Sequence, residues 1–434
     1  MEKRRKKTIN IISLGCSKNL VDTEHLMAQL KNNQVQLRYE SPIVKADAVV
    51  INTCGFIGDA KQQSIDVILE QLEAKKQGKV KEVYVMGCLS ERYKPELLKE
   101  FPDADGIFGV KDIPAIVQKL NYTYDVSREE ERFVTTSKHF AYLKISEGCD
   151  KTCSFCAIPG IRGKHQSVPI EKLVKEAEHL AKSGVKELIL IAQDLTYYGH
   201  DLYLKNRLGD LLKALSAVRG ISWIRLHYAY PTKFLHETLD IMAVEPKICK
   251  YLDIPFQHIN DQVLNNMRRN INQEHTYKMI ERIRETVPGI ALRTTLMVGH
   301  PGETEEAFEE LKDFVRKVRF ERLGVFTYSE EEGTYGARNF KDEIPENVKA
   351  ARADEIMQIQ QEISARLNEA RVGSILSVLI DRKEGEYYIA RTEFDSPEVD
   401  GEVLIHSALE LKPGNFVQVK ITGSDEFDLY AEPA

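Results

Sequence analysis
The chain reads as an α/β protein in three parts. An open parallel sheet comes first, a partial (β/α) barrel follows, and a small antiparallel β-barrel ends it. Three observations predict this. Continuous apolar runs alternate with helical stretches over the first 120 residues, the pattern of a parallel sheet covered on both faces. The alternation recurs between Phe140 and Tyr328 with six apolar runs. From Ser374 onward the runs become short and alternate in polarity between Gly, Pro and Asp turns, as in a small barrel. At 434 residues the chain exceeds one ordinary core. The boundaries fall at 1–125, 136–368 and 371–434.

In the first part, Thr8–Leu14 is a strand ending in Gly15-Cys16, and Asp22–Leu30 has helical spacing with Asp22 or Thr23 as its N-cap. Ala48–Cys54 is a second strand, followed by a helix over 60–76. Val80–Met86 is a third, ending in Gly87-Cys88, with a helix after Pro95, and Ile107–Val110 is a fourth. The basic start Met1–Lys7 and Leu14-Gly15-Cys16 mimic an export signal. The apolar segment between them is too short and contains Asn10, so it reads as a strand behind a solvated tail. Asn121–Lys138, with Arg128-Glu-Glu-Glu-Arg132, reads as a linker or strand-edge passage.

In the middle part the strands are Phe140–Ser146, Glu187–Ala192, Trp223–His227, Tyr251–Pro255, Ala291–Val298 and Leu323–Tyr328, with a helix over 169–183. A βα series of six strands makes an open relative of the eight-stranded barrel and gathers the strand C-termini at one mouth. Gln193, Asp194, Asp253, Gly299 and Glu303 stand at those ends and suit a polar, zwitterionic cofactor, although Glu303 equally suits a helix start. Arg225 and Arg293 lie inside strands, where a lone Arg needs a partner. A helix over 346–370 leads to the five short strands of the barrel.

Composition is that of a globular protein, 42% hydrophobic and 29% charged, and no run approaches the roughly eighteen apolar residues of a membrane span. The net charge of −7 is unevenly placed. From Arg371 onward there are 13 acidic and 6 basic residues, so the preceding 370 balance to zero.

Seven cysteines, an odd number in a long chain, argue against a disulfide framework and for a reducing cytoplasm. Cys149, Cys153 and Cys156 form a CxxxCxxC loop at the end of the Phe140–Ser146 strand. Four thiolates would close a tetrahedral zinc site or saturate an iron–sulfur cube, whereas three leave one cube iron open for a substrate or cofactor. A zinc knuckle or three unrelated thiols are the alternatives. No fourth Cys lies nearby, and His165 follows an Ile-Pro-Gly-Ile break. Cys16, Cys54 and Cys88 lie 38 and 34 residues apart, yet each follows a strand end and adjoins a Gly. Ligands bind at that edge of an open α/β sheet, and the glycines would admit a bulky inorganic group. Each Cys could instead pack as a small hydrophobe, the reading that suits Cys249.

The CxxxCxxC spacing, with Phe155 before the third Cys, resembles the signature of the radical S-adenosylmethionine (SAM) superfamily. Together with Ser13-Leu-Gly-Cys16-Ser-Lys-Asn19, Asn52-Thr-Cys-Gly-Phe56 and Gly87-Cys88, the whole chain resembles the radical SAM methylthiotransferases, its last part being similar to a TRAM domain. The resemblance implies two [4Fe–4S] clusters, an auxiliary one on Cys16, Cys54 and Cys88 and a SAM-cleaving one on Cys149, Cys153 and Cys156. It also implies SAM as cofactor, an electron donor such as flavodoxin or ferredoxin, and a radical that takes hydrogen from an unactivated carbon. Tyr251-Leu-Asp-Ile-Pro-Phe-Gln-His258 and Arg391-Thr-Glu-Phe-Asp-Ser-Pro-Glu-Val-Asp-Gly401 resemble the branch that modifies an aspartate of a basic small-subunit ribosomal protein. The acidic terminal barrel agrees with it, because its field attracts a basic protein and repels nucleic acid. The alternatives are the branch acting on a transfer-RNA adenosine and a non-catalytic iron–sulfur or zinc protein that binds RNA.

Overall fold
A computed structural model describes residues 6–33, 35–41, 45–231 and 236–434. The basic start through Arg5 lies outside them. The chain divides into two compact units: Met1–Thr136 with Tyr142–Lys151 and Ala157–Leu180, and Ser137–Ala141 with Thr152–Cys156 and Ala181–Ala434.

In the first unit five parallel strands run in the spatial order Gln36–Tyr39, Thr8–Ser13, Ala46–Thr53, Val80–Gly87 and Gly106–Ile107. Side chains alternate across the sheet. Ile9, Ile11, Val50 and Tyr84 pack on one face with Leu26, Met27 and Ile116. Val49, Ile51, Val83 and Val85 pack on the other with Ile68 and Leu72. The doubly wound order 2-1-3-4-5 reverses direction between Thr8–Ser13 and Ala46–Thr53, and the crevice beyond the carboxyl ends at such a reversal is where ligands bind.

The structure corrects the sequence reading at four places here. The first helix spans Ser17–Asn32, with Cys16 at its N-cap position. Asp22 and Thr23 therefore lie inside the helix, because tertiary partners hold them: Asp22 faces Lys144 and Arg162, and Thr23 meets Ser13 and Asn52. The edge strand Gln36–Tyr39 has too little apolar content to announce itself. The expected fourth strand shrinks to Gly106–Ile107. The charged stretch that reads as a linker or strand-edge passage buries the Arg132 side chain between Glu24 and Glu176.

In the second unit all six expected strands of the middle part form: Phe140–Lys144 (its first two residues in this unit), Glu187–Ile191, Trp223–Leu226, Ile248–Asp253, Ala291–Val298 and Arg322–Thr327, neighbours following chain order. The register sets Asp253 beside Arg293. The helix Glu346–Glu369 leads to a closed five-stranded barrel built from Ile375–Glu384, Tyr387–Thr392, Val403–His406, Phe416–Ser424 and Leu429–Pro433. The barrel's 395–400 loop is pinned by ion pairs: Asp395 meets Arg322, and Asp400 meets Arg293 and the Tyr251 hydroxyl. Among the described residues no helix is long and apolar enough to cross a membrane.

Candidate metal centres
Cys16, Cys54 and Cys88 follow the carboxyl ends of three adjacent strands in the first unit. Cys16 is exposed, while Cys54 and Cys88 are buried. Asn19 binds their loops together. Its Nδ2 donates to the carbonyls of Leu14 and Thr53, both at 2.9 Å, and its Oδ1 lies 3.4 Å from Cys88 Sγ. The glycines serve this closeness. A Cβ on Gly15 would stand 2.9 Å from Cys54 Sγ, and one on Gly55 would stand 2.6 Å from the Leu89 backbone. Gly87 combines φ +104° with a Cβ position 2.3 Å from Asn52 Oδ1, so no other residue fits there. The glycines thus let three loops approach one another, rather than only admitting an inorganic group.

The thiols feel each other and one cation. Burial lifts Cys88 to about 12 against the pull of Arg162, and Cys16 and Cys54 add to the rise. Burial likewise raises Cys54, with Cys16 contributing. Arg162 donates Nε–H to Cys88 Sγ at 3.4 Å. Among the described residues no three His, Cys, Asp or Glu side chains converge closely enough to hold a single metal ion. One zinc at about 2.3 Å from each sulfur demands that convergence, whereas a cube sets each thiolate on a separate iron and spaces them wider. Three thiols within electrostatic reach, on loops pressed together by glycine and beside a guanidinium, fit the cube.

The second trio is divided between the units. In the first unit Cys149 N–H donates to the Gly163 carbonyl at 3.0 Å, and Lys151 N–H lies 3.4 Å from Cys149 Sγ. Gly148 has φ +77°, and a Cβ there would strike the Lys164 carbonyl at 2.2 Å. In the second unit buried Cys153 lies 3.5 Å from both the Tyr230 hydroxyl and Arg269 Nη1, and Arg269 covers the Tyr230 ring at 4.2 Å. Cys156 N–H donates to the Cys153 carbonyl. Phe155 packs with Met267 and Met297. In each unit a cation or a backbone donor is directed at sulfur, Lys151 N–H towards Cys149 and Arg269 towards Cys153, as thiolate ligation favours.

The polar residues expected at the mouth do stand at or just beyond strand carboxyl ends, but several are already engaged. Buried Asp194 accepts from the Thr196 N–H and hydroxyl, at 2.8 and 2.6 Å, and Gln193 adjoins it. Asp253 pairs with Arg293 at 3.3 Å, and burial nevertheless raises its pKa. Glu303 accepts from Gly299 N–H at 3.0 Å and from Arg352 at 2.7 Å, and the helix Glu305–Val318 is capped by Thr304 instead. A Cβ on Gly299 would meet Lys349 at 2.3 Å. Arg225 and Arg293 satisfy internal acids, Glu187 and Asp253. Cys249 is fully buried in an apolar cluster with Trp223 and Tyr251. Reading the chain alone passed over Arg162, Arg269 and Tyr230. The signal for Arg162 was a single cation in the otherwise uncharged Ile158–Gly163 segment.

Beside the Cys153 loop, His300 Nδ1 donates to the Pro301 carbonyl at 3.1 Å, and its Nε2 lies 3.0 Å from Ser154 Oγ. Burial lowers its pKa to about 4, with His258 adding to the fall. Below pH 6.5 the unfolded chain takes up a proton that the folded chain refuses, so stability should fall as pH drops from 6.5 towards 4. The slope approaches about 1.4 kcal/mol per pH unit. Urea midpoints of the metal-free chain at pH 7 and pH 5 check this, and His300→Gln should flatten the difference.

Three family models match the chain. They are the Radical SAM superfamily over residues 143–315, Uncharacterized protein family UPF0004 over 8–109, and the TRAM domain over 372–433. Curated relatives are similar over nearly the full length. A protein of Christiangramia forsetii is 56% identical over 99% of this chain and 95% of that one. One of Bacteroides fragilis is 55% identical over 99% of both, and one of Porphyromonas gingivalis is 54% identical over 98% and 99%. All three are named ribosomal protein uS12 methylthiotransferase RimO. Among solved structures, the radical SAM methyltransferase TsrM of Kitasatospora setae has a TM-score of 0.54 at 14% identity, covering 74% of this chain and 73% of that one. The cobalamin-dependent radical SAM enzyme OxsB has a TM-score of 0.52 at 12% identity, covering 82% and 56%. These two share the fold.

Proposed function
Because the chain belongs to the RimO family of ribosomal protein uS12 methylthiotransferases, we propose that it adds a methylthio group to the β-carbon of an aspartate in small-subunit ribosomal protein twelve, with SAM and a sulfur donor. The observation that carries this is identity of 54–56% over 98–99% of the chain. As a radical SAM enzyme it works with an iron–sulfur cluster and SAM. A pair of [4Fe–4S] clusters would supply one-electron chemistry on SAM, which acid–base groups at neutral pH cannot.

The chain's own residues then have separable tasks. Cys16, Cys54 and Cys88 hold the auxiliary cluster. Cys149, Cys153 and Cys156 hold the SAM-binding one. Gln193 and Asp194 offer polar contacts to SAM at the strand ends. Asp253, Gly299 and Glu303 shape the same mouth, the two carboxylates steadied by Arg293 and Arg352. The terminal barrel recruits the basic substrate. Among its acids, Asp381, Asp395 and Asp400 neutralise internal cations, while Glu386, Glu398, Glu410, Glu426 and Glu432 are exposed and contribute to the attracting field. A flavodoxin or ferredoxin supplies electrons, and the free cysteines suit a reducing cytoplasm.

Incubation of the reconstituted chain with SAM, a reductant and either ribosomal protein twelve or transfer RNA tests the reading. A methylthio mass increment is expected on the ribosomal protein. An increment on transfer RNA alone would sink it.

A further inference from the structure
Arg162 ends the short helix Ile158–Arg162 and is 2% exposed. Its guanidinium commits four of its five N–H groups. Nη1 donates to Asp22 Oδ2 at 3.0 Å and Glu147 Oε2 at 2.9 Å, Nη2 to Asn19 Oδ1, and Nε to Cys88 Sγ at 3.4 Å. Lys144 completes the group, donating to the second Asp22 oxygen and, at 2.6 Å, to Glu147. Two cations thus face two carboxylates, and the charges balance before any thiolate is counted. Such a cluster is weak evidence for stability, since packed apolar residues of like volume often do as well. What it supplies is direction. A lysine would offer a point charge, whereas the planar fork fixed by Asp22, Glu147 and Asn19 leaves Nε–H aimed at one sulfur.

The next residue reaches the other centre. The Gly163 carbonyl accepts from Cys149 N–H at 3.0 Å, and Glu147 stands two residues before Cys149. One dipeptide therefore touches Cys88 through a side chain and Cys149 through its backbone.

We propose that Arg162 is a positioning residue of the auxiliary cluster, donating to the Cys88 thiolate, raising the cluster's reduction potential and tying its Cys88 corner to the Cys149 loop. The proposal rests on the assignment of Cys16, Cys54 and Cys88 to that cluster. A donor and a positive charge at a ligand sulfur both favour the reduced, more negative state, and such outer partners also retard loss of iron.

The test uses the full chain with Cys149, Cys153 and Cys156 replaced by Ala, so that only the auxiliary cluster remains. Arg162→Gln on this background should lower the midpoint potential by about 59 mV, a tenfold change in the reduced-to-oxidised ratio of a one-electron couple. It should also lose iron to a chelator about tenfold faster. Arg162→Lys keeps the charge and should show a smaller shift. In protein labelled with ¹⁵N-arginine, the reduced cluster should show a nitrogen hyperfine coupling that Arg162→Lys removes. That last measurement begins from the native Arg162 and decides the matter even if Arg162→Gln fails to fold. If the triple-alanine chain holds no iron with Arg162 intact, the cluster assignment itself has failed. If it holds a cluster but lacks the coupling, or the potential is the same in all three, Arg162 has no such role and the assignment stands.

Discussion
Replacing Cys153 with Ala is expected to abolish formation of 5′-deoxyadenosine from SAM while the chain keeps the cluster proposed on Cys16, Cys54 and Cys88. Iron should fall from about eight to about four per chain, the content of one cube. The effect is large because a cube with three protein thiolates and one open iron has no spare ligand. Removing Cys153 leaves two, and no other sulfur follows in the loop. The same substitution leaves Tyr230 and Arg269 facing a methyl group where a sulfur stood. Cys88→Ala should give the complementary result, with SAM cleavage retained and methylthio transfer lost. Measuring iron, 5′-deoxyadenosine and product mass on both variants separates the two trios. Undiminished 5′-deoxyadenosine from Cys153→Ala would remove the basis for assigning the CxxxCxxC loop to SAM.

Arg132→Met should destabilise the first unit by about 3–5 kcal/mol, the usual consequence of removing one partner from a buried ion group. Arg132 is 1% exposed in its side chain and joins Glu24, also 1% exposed, to Glu176. It further donates to the Tyr142 carbonyl at 3.1 Å, and Glu24 itself holds the Thr135 N–H and hydroxyl. Methionine fills much of the volume but strands two carboxylates. Burial already raises Glu176 despite Arg132. Without the guanidinium the folded chain prefers a proton there more strongly than the unfolded chain does, so stability falls as pH rises above the ordinary carboxyl range. The loss should therefore be smaller at pH 5 than at pH 8, as read from urea denaturation. An equal loss at both values would mean that Arg132 acts by packing alone.

Arg132 also shows how a local reading goes astray. Arg128-Glu-Glu-Glu-Arg132 has the composition of a solvated connector, and residues 128–131 are indeed partly accessible. The fifth residue reverses the meaning of the stretch, because its partners lie 108 and 44 positions away. Asp22 behaves likewise. A short acid near a helix start resembles a cap, yet it lies inside Ser17–Asn32, where Lys144 and Arg162 occupy it. Apolar periodicity, by contrast, is a local property, which is why all six strands of the middle part and all five of the barrel could be placed from the chain alone.

The amino-acid order by itself determined the candidates for the chemistry: a CxxxCxxC spacing, three Gly-flanked cysteines at strand ends, and an acidic terminal segment. Those are statements about neighbours along the chain and about the period of burial, and a single strand or loop suffices to express them. Only the folded arrangement decided what those thiols face. That Arg162 meets Cys88, that Asn19 binds three loops together and that Arg132 joins Glu24 to Glu176 depends on contacts between distant segments. A charged side chain carries no mark of whether it will meet water or a buried partner.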